Sequence, residues 1–199
     1  MVVRCSRYMM VYRPMQPSCV RIASDDTRSA DALEADGWRF VETLETWRRK
    51  MPWKTLRPQR VRVARKADRE ACMAIASKAF VFDRLHADPA IPREVADEAK
   101  KEWVKAAFED HEKIFVHDSG TVLGFLITRP RGHTLVIDLI AVEPQVQWGG
   151  VGTELVKACL GLPDYRYIEA GTQAANEPAR RLYHSLNFRV VKMQRSYHK

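Results

Sequence analysis

Apolar residues recur along this chain at two different spacings, and the switches between them mark out its elements. In ADREACMAIASKAF the residues after Asp68, its expected N-cap, have helical spacing. So does PREVADEAKKEWVKAAFED, which opens on proline and sets Val95, Ala99, Trp103 and Ala106 near one face. KIFVHD and TVLGFLITRP read as strands joined by a Ser119-Gly120 turn, which predicts a hairpin. TLVIDLIAVEP is a further strand, apolar on both faces except at Asp138. A helix over about 150–160, a strand at YRYIEAGT, a helix over about 176–186 and a final strand at FRVVKMQRSYH complete the alternation.

The first fifty residues form a shorter series: a strand around Met9–Tyr12, a helix over about 29–36 and a strand over about 38–47. MPWKTLRPQR then breaks the pattern with two prolines and three basic residues. The expected division is a truncated N-terminal α/β piece at 1–50, a linker at 51–60 and the main domain at 61–199. ALEADGWRFVETLETW and LYHSLNFRVVKMQRSY align without a gap, each a helix, a turn residue (Gly37 or Asn187) and an aromatic-Arg-apolar-Val strand. Either the front is a partial copy of the end, or any helix–turn–strand unit would look this way.

Composition narrows the class. With 199 residues and 46% apolar positions the chain can bury a full core. It has no apolar run of about 18 residues, so no membrane insertion is expected, and its arginine-broken N-terminus is a poor signal peptide. Four scattered cysteines without CxxC spacing point to a reducing, cytoplasmic setting and argue against zinc or another metal. The net charge of +8 is spread along the chain. It suits anionic small ligands as well as a basic nucleic-acid-binding or scaffold protein. The first reading, without nucleic acid, is preferred.

The candidate chemistry begins at VEPQVQWGGVGTEL, where three glycines lie at the mouth of a helix. Bare backbone beside the unpartnered amides of a first helical turn suits a phosphate. No GK[ST] follows, which excludes a P-loop, and the position is wrong for a dinucleotide fingerprint. Gln147-x-x-Gly150-x-Gly152 after an apolar strand, followed by Asn176, Ala179, Tyr183, Asn187 and Phe188 at their spacing, resembles the GNAT superfamily of acyl-CoA-dependent N-acyltransferases over roughly 61–199. Trp148 and Gly149 depart from the family pattern, which usually has glycine and often a basic residue there. ALEADGWRFVETLETW, FDRLHADPAIP and EAGTQAANEPARRLY are similar to the TDP-fucosamine acetyltransferase group, which acetylates nucleotide-linked amino-dideoxy sugars for bacterial surface polysaccharide.

The resemblance implies an α/β (α+β) fold with a mixed, mostly antiparallel sheet flanked by helices. It also implies direct acetyl transfer from acetyl-CoA to an amine. Gln147, Gly149, Gly150, Val151, Gly152 and Thr153 would cradle the diphosphate. Ala141 and Val142 would pair with the pantetheine arm, and Asn176 would orient it. The Val142 N–H would face the developing oxyanion. Tyr183 would reprotonate the leaving thiolate. Asp138 would be base or amine anchor, with a structural salt bridge as the equal rival reading and Glu169 as the alternative base. Asp83, Arg84 and His86 would read hydroxyls and a nucleotide diphosphate, and Thr172 and Gln173 sugar hydroxyls. A protein N-terminus, lysine or another small amine remains the alternative acceptor, and the sequence leaves a homodimer open.

Overall fold

The computed structural model describes residues 17–52, 58–110 and 113–199; the strand expected at Met9–Tyr12 lies outside them. In chain order the elements are β1 (Cys19–Ala23), α1 (Thr27–Ala35), β2 (Arg39–Lys50), β3 (Val61–Val63), α2 (Arg69–Ala79) and α3 (Arg93–Glu109). They continue with β4 (Lys113–Asp118), β5 (Val122–Arg131), β6 (Thr134–Val142), α4 (Val151–Cys159), β7 (Tyr167–Gln173), α5 (Glu177–Ser185) and β8 (Arg189–His198). The eight strands of the described residues form one sheet in the order β1-β8-β2-β7-β6-β5-β4-β3. Only β6 and β7 pair in parallel; the other neighbours are antiparallel. This is the mixed α+β architecture that the resemblance implies. β1 and β3, both short, fall outside the sequence pattern.

β2 does not stand apart from the rest of the sheet. It fills the place between β7 and β8, so the N-terminal strand is hydrogen-bonded on both sides by the C-terminal half of the chain. The echo between the two ends has a geometric counterpart, with each residue of β1-α1-β2 matching the one 150 positions later (Gly37 with Asn187). Arg39 pairs with His198, and its mirrored pair Arg48–Arg189 is also present. Cys19 pairs with His198 on one side, and Arg48 with Glu169 on the other. The caps correspond as well: Asp26 accepts from the Ser29 N–H at the start of α1, and Asn176 from the Ala179 N–H at the start of α5. Both turns close on a residue in the left-handed region, Gly37 at φ 79° and Asn187 at φ 60°. The two ends thus form a pseudo-two-fold pair of βαβ units.

Two cores cover the two faces of the sheet. Leu155, Val156, Tyr183 and Phe188 pack with Leu126, Leu135 and Trp47 on the α4–α5 side. Ile75, Val104 and Ala107 pack with Phe125, Ile127 and Leu139 on the α2–α3 side. Gly124 on β5 seats α4: a Cβ there would lie 2.8 Å from the Ala141 carbonyl and 3.0 Å from Val151 Cγ1. Two details differ from the sequence reading. The buried stripe of α3 is Ala96, Lys100, Val104 and Ala107, one residue on from the expected face, because a lysine was not counted as a core position. Asp68 does not cap α2 through its side chain; it accepts from the Arg65 N–H and pairs with Arg62.

Candidate active site

The site begins where two parallel strands part. β6 and β7 pair from Thr134–Tyr167 to Ile137–Ala170 and then stop. At that point β6 carries a bulge: Ile127 faces Leu139 and Thr128 faces Ile137, which leaves Asp138 as the extra residue. Beyond it, Leu139 and Ala141 turn to the α2–α3 core while Ile140 and Val142 pack on the α4–α5 side. The parted strands line a cavity of about 700 Å³, walled by α4 and α5 on one side and by the end of α2, the 80–83 loop and α3 on the other.

At the α4 end the backbone is unguarded. Gly150 sits at the N-cap with φ 84°, a conformation that suits a residue without Cβ, and no side chain caps the helix. The first intrahelical bond runs from the Glu154 N–H to the Gly150 carbonyl. The amides of Val151, Gly152 and Thr153 precede it, at the positive end of the helix dipole, and all three residues line the cavity. Gln147 braces the loop by donating its side-chain amide to the Val142 carbonyl at 3.3 Å. Gly149 does not line the cavity. Its N–H bonds the Val146 carbonyl, and a Cβ would approach that oxygen to 3.2 Å, so a side chain there would crowd the turn. Trp148, at φ 70° and 76% exposed, points its bulk to solvent and does not plug the opening. Holding a non-glycine residue there costs about 1–3 kcal/mol.

Tyr183 and Asn176 line the same cavity from α5. The Tyr183 ring is buried against Trp47 and Phe188, and burial pushes its phenol well above the ordinary range, so it holds its proton at any ordinary pH. Asn176 spends its side-chain oxygen on the α5 cap, so its amide NH2 is the part left for a ligand. Asp138 reaches the cavity and also lies 2.5 Å from Arg129 Nε. Both readings of Asp138 therefore meet in one residue. Burial raises its carboxyl above the usual range although Arg129 pulls the other way.

The loop expected to read substrate is mostly structural. Of Asp83, Arg84 and His86, only Asp83 lines the cavity. Arg84 is buried and donates to Nε2 of His198 at 2.9 Å, while His198 Nδ1 donates to Asp88 at 2.7 Å. His86 is clamped between Asp83 at 2.5 Å and Asp97 at 3.0 Å. Burial opposes its charged form, but the two carboxylates outweigh this and raise the imidazole above its ordinary range. Burial would likewise raise the Asp83 carboxyl, yet Lys100, 3.2 Å away, and His86 hold it well below the usual range. Glu169 is also withdrawn from the cavity, ion-paired with both Arg48 and Arg131. Thr172 and Gln173 do line the opening. So do Phe80, Phe82, Trp103 and the buried Lys100, which the sequence reading passed over as core or solvent positions.

The cavity thus joins an unpaired strand edge to an uncapped helix mouth, which is the donor set that a pantetheine amide chain and a diphosphate require. The acetyltransferase (GNAT) family model matches residues 69–188. The chain belongs to the GNAT family of acetyltransferases. This GNAT chain is 29% identical over 136 residues to the spore coat polysaccharide biosynthesis protein SpsD of Bacillus subtilis, a match covering 66% of the chain. It spans 47% of that relative's length. Among solved structures it superposes on a GCN5-related N-acetyltransferase from Sphaerobacter thermophilus at TM-score 0.64 and 17% identity, covering 96% of this chain and 62% of the other. A functionally unknown conserved protein from Staphylococcus epidermidis gives TM-score 0.67 at 15% identity, covering 91% and 71%. At such identities these structures speak for the fold alone. Among the described residues no cluster of His, Cys, Asp and Glu could hold a metal ion, and no helix is long and apolar enough to cross a membrane.

Proposed function

We propose that this GNAT chain transfers acetyl from acetyl-CoA directly to the amino group of a nucleotide-linked amino-dideoxy sugar. The observation that carries the transferase reading is the passage at the parted β6 and β7, with bare helix amides at one end and the carboxylates Asp83 and Asp138 towards the other. Acetyl-CoA, when bound, supplies the activated thioester. The Gly152 and Thr153 amides would hold its diphosphate, and the open β6 edge would pair with the pantetheine amides through Val142, since Ala141, opposite Phe125, turns its backbone groups to β5. The Val142 N–H then faces the thioester oxygen, a contact worth on the order of 3 kcal/mol where charge develops. Tyr183 would give its phenolic proton to the departing sulfur and recover one from the nitrogen that has become the amide. Asp138 takes a proton from the acceptor ammonium, so that the neutral amine attacks. Cys72 and Cys159 are no nucleophiles, since burial pushes both thiols up to about 12.

The acceptor class rests on two supports. One is the polysaccharide role in the name of the B. subtilis relative. The other is the far wall itself, where the Phe80, Phe82 and Trp103 rings suit a deoxy-sugar face and Thr172 and Gln173 suit its hydroxyls. The test is thiol release from acetyl-CoA against a panel of UDP-, GDP- and TDP-linked amino-dideoxy sugars. Turnover with at least one, and none with lysine peptides or polyamines, is expected. Turnover with a peptide or polyamine alone would overturn the sugar reading and leave the transferase.

A further inference from the structure

We infer that Trp148 is the adenine platform of the CoA site, an inference that rests on the acetyl-CoA reading above. Trp148 breaks two local rules together. It takes a left-handed φ of 70°, which glycine adopts freely and a bulky residue resists, and it leaves its indole 76% exposed. Among the described residues it is also the most exposed of the large apolar side chains, yet it stands on the wall of the cavity, two residues before Gly150. A glycine at this position would meet the backbone requirement without strain and expose no ring. An indole held there calls for a flat partner.

The order of groups along CoA says which partner. The pantetheine follows the β6 edge outward to Val142, and the diphosphate meets the amides at the start of α4. The nucleoside comes next, and it must lie outside the sheet, beyond the loop that Gln147 ties to the Val142 carbonyl. Trp148 projects from that same loop. A purine laid on its face would cover the exposed indole, and such stacking is sequence-tolerant, electrostatically mild and strong for tryptophan. The same contact would give the loop a use for its strained residue.

The experiment compares two ligands with and without the nucleoside: CoA and 4′-phosphopantetheine, titrated by calorimetry into the unsubstituted protein, Trp148→Ala and Trp148→Phe. The Ala variant should bind CoA about tenfold or more weakly and 4′-phosphopantetheine unchanged. The Phe variant, which keeps a ring, should retain most of the CoA affinity. Unaltered CoA affinity in Trp148→Ala would overturn the inference while leaving the cofactor site intact, as would an equal loss for both ligands, which marks a purely structural loop residue. If the unsubstituted protein binds neither ligand, the acetyl-CoA reading itself falls. Melting temperatures of the three proteins guard against loss through misfolding.

Discussion

Leu44 on β2 and Gln194 on β8 stand opposite each other in antiparallel register, at the one position where a residue faces its own equivalent 150 places on. The pseudo-two-fold passes between them. On either side, β1 is to β8 as β7 is to β2, down to the matching bulges at Phe40/Glu42 and Thr46/Trp47. Only the C-terminal unit carries the site. Leu33 occupies the place of Tyr183, and Ile22 that of Thr172.

Because β2 is hydrogen-bonded to both β7 and β8, removing it strips the inner edge from each. A fragment of residues 51–199 is therefore expected to lose its cooperative thermal transition and to lack acetyltransferase turnover. Circular dichroism and a thiol-release assay check this, and a folded, active fragment would refute it.

Tyr183→Phe keeps the ring packed between Trp47 and Phe188 and removes only the hydroxyl. Turnover should fall about 10² or more with CoA affinity nearly unchanged. A kcat equal to that of the unsubstituted enzyme would take Tyr183 out of the chemistry.

As the proposed base, Asp138 must be ionised, so kcat/KM should fall as pH drops through its folded pKa. Burial raises that value, which places the acid limb above the pH of an ordinary aspartate near about 3.9. Arg129→Met removes the ion-pair partner and should move the limb to still higher pH. A limb that moves down or stays put would assign the base elsewhere.

His86 between Asp83 and Asp97 makes a stability prediction with a definite sign. Its folded pKa is raised, so its contribution is complete below the unfolded value of about 6.5 and is lost as pH rises through the folded one. His86→Gln should cost about 1–3 kcal/mol at pH 6 and less at pH 9, read from thermal or urea unfolding. An equal cost at both pH values would show that charge plays no part in the clamp.

The parts of the site legible in the sequence were those encoded locally. The glycines ahead of α4 and the α5 spacing of Asn176 and Tyr183 are each local patterns, and Gln147, Gly150, Gly152, Asn176 and Tyr183 all line the cavity. What depends on distant pairing was not legible. The bulge at Asp138 shows only when β5 lies beside β6, and the place of β2 only when β7 and β8 flank it. Arg84 and His86 have the residue types of a binding loop. Their partners, His198 and Asp97, lie 114 and 11 residues away, and no local pattern announces them. Lys100 failed in the opposite sense: as a lysine it was set aside, yet the Asp83 charge and the Phe80 and Trp103 faces make its burial tolerable.

The central claim is that the α4 amides and the open β6 edge hold the diphosphate and arm of coenzyme A. Gly152 gives the most direct access to it, because a Cβ there would lie 3.4 Å from Leu182 and 3.8 Å from Val142, contacts the fold accepts while the added bulk enters the path of the arm. Calorimetric titration of CoA into the unsubstituted protein and into Gly152→Val measures it. One-to-one binding by the first and none by the second, with melting temperatures alike, is the predicted result. Absence of binding to the unsubstituted protein, or equal binding by both, would contradict the account.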